Sequence, residues 1–319
     1  MREHSSGRPG QEGIAILIVL WAIGVLALIS AVVTTTTRSE VNRTRNLLES
    51  AKAEALADAG IYRAIAELLE ADWPQRPLTN GTTYRWSFGD GEIVLSIQSE
   101  AGKIDLNAAS DELLRGLFIS AGVEPERAKQ LVDAVRDFGD GNHVRRDLGA
   151  EDDDYRAAGM VNGAKDARFE NVSELQQVMG MTPELYEGVA PVITVYSGTK
   201  KVDRETAPRM ALLALTGATP ERVDDMLESR ATDLTDDSVS LFDADAESDS
   251  QLDGLGAEEE EVYDEATEPD ISRRRYGVFT ITATAQTPGG GSFERVAVVR
   301  LKNDSKSPFT IHEWRQQWP

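Results

Sequence analysis

The sequence predicts an α+β protein in which one long N-terminal α-helix packs on an antiparallel sheet, and a large α-helical domain is inserted between the strands of that sheet. Three observations support this prediction. Residues 14–33 carry no charged side chain and continue into a helical stripe of apolar residues that reaches residue 70. Residues 82–97 and residues 279–301 each alternate apolar and polar side chains around a glycine-containing turn, as β-hairpins do. Helical and loop patterns fill the chain between the two hairpins.

The first element is the uncharged run of residues 14–33. At about 1.5 Å per residue, a helix of this length spans the roughly 30 Å hydrocarbon core of a membrane. A buried core helix seldom stays apolar on every face over such a length, and the apolar part of a cleaved secretory signal is shorter. The sequence therefore predicts a single-pass transmembrane helix over residues 14–33.

A polar leader, residues 1–13, ends in Gly13 directly before this run. The arrangement resembles the signal of type IV prepilins. The resemblance implies that a prepilin peptidase in the membrane cuts between Gly13 and Ile14 and methylates the new N-terminus, so that the apolar helix stays on the mature protein. The amphipathic stripe beyond the span ends before Pro74 and Pro77. A long helix that is half apolar and half amphipathic is the body plan of pilins.

The two predicted hairpins need a common sheet, because an isolated hairpin is only marginally stable in water. We therefore expect both hairpins to pack on the amphipathic half of the helix, with the chain between them as an insertion. The predicted segments are a leader 1–13, a transmembrane helix 14–33, the pilin helix and first hairpin 34–101, an inserted α-helical domain 102–232, an acidic disordered loop 233–272 and the C-terminal strands 273–319.

Two helix pairs are predicted inside the inserted domain. The helix starts are assigned to Asn107 or Ser110, Ser173 and Glu184, and the turns to Gly122 and Gly180. These pairs resemble helix-hairpin-helix modules, whose DNA-binding members hold a phosphate with backbone amides and nearby basic residues. Few lysines and arginines accompany the pairs in this chain, which favours a packing role and no nucleic-acid partner.

The composition excludes several further functions. The formal net charge of −22 repels a nucleic-acid backbone. The chain has no cysteine, which excludes disulfides, thiolate nucleophiles and cysteine-based metal centres. Its three histidines, His4, His143 and His312, are too scattered to suggest a histidine-rich metal site or a histidine-centred triad. We therefore expect a protein that works by assembly and is not an enzyme.

A dense acidic group lies within residues 137–154. Carboxylates at this density repel one another unless they are solvated or bound to a hard cation, and calcium accepts six to eight oxygens without cysteine or histidine. The spacing is not that of an EF-hand, because Val144 and Arg145 stand where a ligand and a glycine are needed. On residue types alone, a solvated acidic loop and a calcium site both remain open. The oxygen-bearing side chains are Asp137, Asp140, Asn142, Asp147, Glu151, Asp152, Asp153 and Asp154.

A second acidic segment covers residues 233–270, with sixteen acidic residues and no lysine or arginine. A segment of this composition cannot bury enough apolar surface to order itself. We expect a solvated loop, with calcium binding or docking of a partner as the alternative.

Several short motifs together resemble the K-type minor pseudopilin family of bacterial type II secretion systems, also called the GspK family. Each motif alone is common, but the set covers most of the chain. The motifs are G-I-A-I-L-I-V-L-W from Gly13, A-x-A-G-I-Y-R-A through Ala59 to Ala64, G-K-I-D-L-N at Gly102, D-F-x-D at Asp137, G-A-E at Gly149, E-L-x-x-V-x-G-M-T at Glu174 and V-Y-S-G at Val195.

The resemblance implies a single-pass protein of the bacterial inner membrane whose soluble domain lies in the periplasm. It implies a place at the tip of the pseudopilus, in contact with I- and J-type minor pseudopilins, other pseudopilins and possible exported proteins. It also implies structural calcium in the inserted domain, bound by positions that match Asp137, Asp140, Glu151 and Asp154. Asn142 stands where an aspartate is more usual, which keeps an oxygen ligand and removes a charge.

Ile18 occupies the fifth position of the predicted mature chain, where most pilins carry a glutamate. A carboxylate inside a membrane is costly without a partner, so a subunit that caps a filament gains by lacking it. Three other functions stay open: a minor pilin of a type IV pilus, a membrane-tethered helix-hairpin-helix protein of DNA uptake, and a metal-dependent hydrolase built on the acidic group.

Overall fold

The computed structural model describes residues 12–70, 76–232 and 276–317. Its helices are α1 (Glu12–Glu70), α2 (Asp111–Ser120), α3 (Pro125–Gly139), α4 (Asp152–Ala157), α5 (Pro183–Val189), α6 (Arg209–Leu213) and α7 (Pro220–Thr232). Its strands are β1 (Asn80–Phe88), β2 (Gly91–Ser99), β3 (Ile104–Asp105), β4 (Ile193–Thr194), β5 (Gly277–Gln286), β6 (Ser292–Leu301) and β7 (Phe309–Gln317). The predicted acidic loop over 233–272 lies outside the described residues.

Helix α1 is continuous over 59 residues, as the sequence predicts. Its C-terminal half packs on the sheet through small and aliphatic side chains at helical spacing, which are fully buried: Ala53, Ala57, Ile61, Ala64 and Leu68. Gly60 allows the close approach, because a Cβ at this position would lie 2.9 Å from the side chain of Ile93. The helix and the sheet therefore share one hydrophobic core.

The N-terminal half of α1 has a different surface. Its apolar side chains are exposed, among them Ile16, Leu20, Trp21, Leu26 and Ile29. In the described ranges, no helix combines the length and the apolar character that a membrane crossing requires. The membrane span over residues 14–33 stays a prediction.

Five antiparallel strands form the sheet, in the order β1-β2-β5-β6-β7. The pairing of β2 with β5 runs from Glu92 opposite Gln286 to Ser99 opposite Phe279, and it joins the two hairpins. This confirms the prediction that both hairpins belong to one sheet. Strand β7 was not predicted; it adds an edge strand beside β6.

Arg295 on β6 links the sheet to α1 by hydrogen bonds. The residue is only 7% exposed, and its Nε and Nη2 donate to Asp58 Oδ1 at 2.6 Å and to Glu54 Oε1 at 2.8 Å. The guanidinium also lies over the rings of Phe293 and Trp314. The cation thus binds two helix carboxylates and packs on two sheet aromatics.

Changing Arg295 to methionine is expected to lower the free energy of unfolding by about 1–2 kcal/mol, because the charge-assisted bonds are lost while both carboxylates can still reach solvent. Urea unfolding followed by circular dichroism measures the change. The matched control is Arg300→Met on the exposed side of β6, which should shift stability by less than about 0.5 kcal/mol. Equal losses in the two variants would contradict the assigned role of Arg295.

The chain between β2 and β5 forms a second hydrophobic core of mainly helical segments. Ser110 caps α2 as predicted, with its Oγ accepting from the Leu113 amide at 3.3 Å, and the turn before α3 has Gly122 at φ +88°. Asn107, the alternative cap, instead exchanges two hydrogen bonds with the backbone of Phe169. This region supplies the predicted helical insertion, while its assignment to helix-hairpin-helix modules stays a prediction.

The second helix pair differs in detail from the prediction. The start expected at Ser173 belongs to a 3₁₀ helix, Val172–Gln177, capped by the side chain of Asn171. Helix α5 begins one residue earlier than expected, because Thr182 Oγ1 accepts from the amide of Leu185. Gly180 lies in the turn at φ +87°, as predicted.

The insertion is closed at its base by the short parallel pair β3 and β4. The buried carboxylate of Asp105 on β3 accepts from Ser197 Oγ at 3.1 Å and from the Gly198 amide at 2.7 Å, just beyond β4. Polar contacts also join the insertion to the sheet: Gln98 donates to the Thr206 carbonyl at 2.7 Å, and Tyr196 donates to Glu313 at 2.6 Å. Residues 98–105 and residues 196–206 therefore meet beside the sheet.

Candidate metal centre

The loop between α3 and α4 places several acidic side chains around one point. Asp137 lies in the last turn of α3, Asp140 follows its C-terminus, and Glu151 directly precedes α4. The chain then returns to this point after α4 and brings Asp166 to it. The predicted residues Asp137, Asp140 and Glu151 are thus close enough for their charges to affect one another.

Asp137 is fully buried at the base of the site. The backbone N–H of Arg146 donates to its two carboxylate oxygens at 3.1 and 3.3 Å. Residue 149 must be glycine for this packing, because a Cβ there would overlap the Asp137 carboxylate. Burial raises the pKa of Asp137, and the neighbouring charge of Asp140 adds to that rise.

Glu151 is the side chain whose position is hardest to explain without a ligand. It is only 8% exposed, and neither carboxylate oxygen makes a hydrogen bond of good geometry within the described structure, although the side chain faces the Asp154 N–H in the capping box of α4. Burial raises its pKa, and the charges of Asp137, Asp166 and Asp140 raise it further. A buried carboxylate without a donor is costly unless it is protonated or bound to a cation.

Asp166 was not predicted as a site residue. It has φ +53°, a left-handed conformation that aspartate tolerates better than most side chains. Its Oδ1 is buried without a hydrogen-bond partner in the described part of the chain, and its Oδ2 lies 3.5 Å from His143 Nδ1. One ligand atom each from His143, Glu151 and Asp166 can be chosen so that all three lie within 4.8 Å of one another.

The other two predicted ligands have local roles. Asn142 is exposed, and its Oδ1 accepts from the Val144 amide at 2.8 Å within the loop. Asp154 Oδ2 accepts from the Glu151 amide at 3.0 Å, and Asp154 Oδ1 accepts from Arg145 at 3.1 Å. These bonds fold the loop and cap α4.

The donor set fits a divalent cation. Glu151 and Asp166 contribute orphaned buried oxygens, and ligand atoms of these two side chains lie within 4.8 Å of one another. Asp137 and Asp140 add negative charge beside Glu151. Hard oxygens of this kind suit calcium, which accepts flexible geometry.

The two predicted processing residues, Gly13 and Ile14, are far from this site in the sequence. They lie in the first turn of α1.

Comparison with known proteins gives consistent results. A family model described as type II secretion system (T2SS), protein K, matches residues 94–198. Type II secretion system protein K of Pectobacterium carotovorum subsp. carotovorum is 27% identical over 208 residues, which are 58% of this chain and 63% of the relative. The protein of the same name from Dickeya chrysanthemi is 26% identical over 238 residues, 58% of this chain and 66% of the relative. The chain thus spans less than two thirds of either relative.

One solved structure has a similar fold. It is a chain from the crystal structure of the GspK-GspI-GspJ complex of the enterotoxigenic Escherichia coli type 2 secretion system, with a TM-score of 0.50 and 18% identity. The alignment covers 89% of this chain and 100% of that chain. The likeness supports the mixed arrangement of helices and antiparallel sheet.

Proposed function

Because residues 94–198 match the family model of type II secretion system protein K, we propose that the chain is a minor pseudopilin of that family, which takes part in protein secretion by assembly and not by catalysis. The observation that carries the proposal is the architecture: a 59-residue helix lies on an antiparallel sheet, and a helical region is inserted between β2 and β5. Residues 94–198, which match the family model, include the first part of that insertion.

We further propose that α1 is the main assembly element. Beyond its sheet-packed face it exposes Val41, Leu47, Leu48 and Tyr62, at the level where helices of sister subunits would lie alongside it. I- and J-type minor pseudopilins are the partners we propose, since the similar solved chain comes from a complex with GspI and GspJ. The large insertion favours a position at the tip, because it would crowd subunits stacked along a shaft.

The N-terminal segment is proposed to anchor the protein in the bacterial inner membrane, with the sheet and the insertion in the periplasm. Support comes from the uncharged run of residues 14–33 and from the exposed apolar side chains of α1 between Ile16 and Ile29. Processing by the prepilin peptidase between Gly13 and Ile14, with methylation of Ile14, would keep this anchor on the mature chain.

Deletion of the gene in the native host tests the proposed function. Exported proteins should then accumulate in the periplasm, and the full-length chain supplied in trans should restore their release. The full-length chain in detergent should also co-purify with the I- and J-type subunits of the same host. A deletion strain with normal export and lost surface pili would instead assign the chain to a type IV pilus.

We propose that the acidic centre binds structural calcium through Asp137, Asp140, Glu151 and Asp166, with the predicted Asn142 and Asp154 at the rim of the same loop. The bound ion would neutralise the mutual repulsion of these carboxylates and hold the α3–α4 loop closed. No step of a reaction is assigned to it.

Calcium at a hundredfold excess over its dissociation constant is expected to stabilise the native protein by about 2.7 kcal/mol. For a chain of this size, that raises the thermal midpoint by about 5–10 °C, which scanning calorimetry with calcium or with a chelator measures. The double variant Glu151→Gln with Asp166→Asn should lose the calcium shift, while the matched double variant Glu221→Gln with Asp225→Asn on α7 should keep it. An unchanged shift in the first variant would rule out this ligand set.

A further inference from the structure

A groove lies between α2 and the helix pair α6 and α7, at the far end of the insertion's sequence. It consists of two adjoining cavities of about 370 Å³ and about 90 Å³, which share Leu215 and Thr216 as lining residues. Leu213, Leu215 and Met226 line it with half-buried apolar side chains. We call this feature the α6–α7 groove. It offers apolar surface that the described part of the chain covers only in part.

The rim of the α6–α7 groove carries a net positive charge. Arg204 and Arg222 are exposed and form no ion pair within the described ranges; Arg222 Nη1 donates only to the Gly217 carbonyl, at 3.4 Å. A positive groove is unexpected in a chain whose formal net charge is −22. The charged residues that line the groove are Glu112, Arg115, Arg204 and Arg222.

A further arginine lies where α7 ends and the acidic segment begins. Arg230 Nη1 donates to the Ala207 carbonyl at 2.8 Å, but its Nε and Nη2 are buried and have no hydrogen-bond partner in the part of the chain that the structure describes. Buried polar atoms of this kind normally have partners. The nearest carboxylate that follows in the sequence is that of Asp233. The acidic segment therefore begins beside a cation that lacks acceptors.

The acidic segment, residues 233–270, contains a short apolar group close to its start. Val239, Leu241 and Phe242 stand together, with Asp236 and Asp237 before them and Asp243 and Asp245 after them. A segment of this composition does not order itself, but part of it can become ordered by binding to another surface. Apolar side chains flanked by carboxylates on both sides are the complement of an apolar groove with arginines at its rim.

The length of the chain allows this apolar group to reach the α6–α7 groove. Met226 lines the groove on α7, and the six residues from there to the end of the helix at Thr232 rise about 9 Å. Residues 233–238 can span about 20 Å when they are extended. A second apolar pair, Val262 and Tyr263, follows much later in the segment. The group at residues 239–242 is therefore the better placed occupant.

We infer that residues 239–242 dock in the α6–α7 groove of the same chain, with Leu241 and Phe242 on its apolar walls and the flanking aspartates at Arg204 and Arg222. The short tether supplies the segment at an effective concentration on the order of 1 mM, so it fills the groove ahead of dilute partners. Exposed ion pairs contribute little each, and the apolar contacts therefore set the position. The inference is independent of the proposed function and of the acidic centre.

The test compares the full-length chain in detergent with a variant in which residues 236–247 are replaced by a glycine-serine linker of equal length. A fluorescent peptide of residues 236–247 reports binding by its anisotropy. The linker variant should bind the peptide. If its dissociation constant is about 0.1 mM or lower, the native chain should bind at least about tenfold more weakly, because its own segment competes at about 1 mM.

Two sets of substitutions separate docking from general attraction between charges. In the linker variant, Arg204→Gln with Arg222→Gln should weaken peptide binding about fivefold or more, whereas Arg43→Gln with Arg85→Gln removes the same charge from exposed positions on α1 and β1 and should change it by less than about twofold. A peptide with Leu241→Ser and Phe242→Ser keeps every charge and should bind at least about tenfold more weakly. Circular dichroism checks that each variant is folded.

Several outcomes would overturn the inference. Equal peptide binding by the native chain and the linker variant, or no binding by the linker variant, would show that the segment does not occupy the groove. Equal binding of the native and the serine-substituted peptides would reduce the contact to charge alone. If the native chain bound the peptide more weakly as the protein was concentrated, the segment would occupy the groove of a second copy and not its own.

Discussion

Replacing Gly13 with leucine is expected to abolish processing, so that the protein accumulates in membranes with residues 1–13 still attached. The proposed cut lies directly after Gly13, and this residue falls in the first turn of α1. A peptidase that accepts a glycine at this position can bring the backbone close to its catalytic groups, and a branched side chain would hold the backbone away. Mass spectrometry of the purified chain distinguishes the cleaved, methylated N-terminus at Ile14 from the uncleaved one.

Gly24 provides the matched control for this experiment. It lies in the same apolar half of α1, and a Cβ at Gly24 meets no other atom within 4 Å. Gly24→Leu should therefore be processed like the native chain, although it adds the same side chain to the same helix. A cleaved product of native length from Gly13→Leu would contradict the proposed cut. Blocked processing in both variants would mean that the helix and not the cut site is affected.

The parts of the fold that rest on periodicity could be predicted from the sequence. Helix α1 and the strands β2 and β5 bury one side of a regular pattern, so the pattern is visible in one dimension. Strand β7 could not be found in this way. Its core-facing residues are Phe309, Ile311 and Trp314, and the last step of three residues breaks the alternation. The cause is a bulge: Val299 pairs with Ile311, but Val298 pairs with Glu313.

The candidate metal centre was predictable only in part. Asp137, Asp140 and Glu151 stand in one acidic segment, and the two ends of neighbouring helices bring them together. Asp166 follows outside that segment, and it reaches the site through a left-handed turn that a sequence pattern does not reveal. His143 was visible within the acidic loop, but three scattered histidines gave no reason to assign it to a metal.

The motifs that carry the family resemblance have physical explanations in the structure. Gly60 in A-x-A-G-I-Y-R-A lets α1 approach the sheet, and Gly149 in G-A-E makes room for the buried Asp137 carboxylate. The motifs G-K-I-D-L-N and V-Y-S-G, far apart in sequence, meet through Asp105 and Gly198. These positions are fixed by close packing and by buried hydrogen bonds, which single substitutions can test.

Asp105→Ala is expected to cause the largest loss of stability among the variants considered. The Asp105 side chain is 1% exposed and accepts four hydrogen bonds, from the amides of Asn107 and Ala108 and from Ser197 Oγ and the Gly198 amide. Alanine would leave the backbone N–H groups of Asn107 and Gly198 without this acceptor, whereas the Ala108 N–H keeps the Asp105 carbonyl as a second acceptor at 3.3 Å. At about 1–3 kcal/mol for each unsatisfied group, and with some relief from entering water, we expect a loss of about 2–4 kcal/mol.

The loss should lower the thermal midpoint by about 4–15 °C, measured by calorimetry of the full-length chain in detergent. Asp105→Asn should lower stability by less than Asp105→Ala does. Its amide oxygen can still accept from the amides of Asn107 and Ala108, although its NH₂ then faces the donors of Ser197 and Gly198. The control is Asp304→Ala in an exposed turn, where the carboxylate accepts from the Lys306 amide, and its effect should be below about 0.5 kcal/mol. If Asp105→Ala lowered stability as little as Asp304→Ala, the contact between β3 and the segment after β4 would not be what holds the insertion against the sheet.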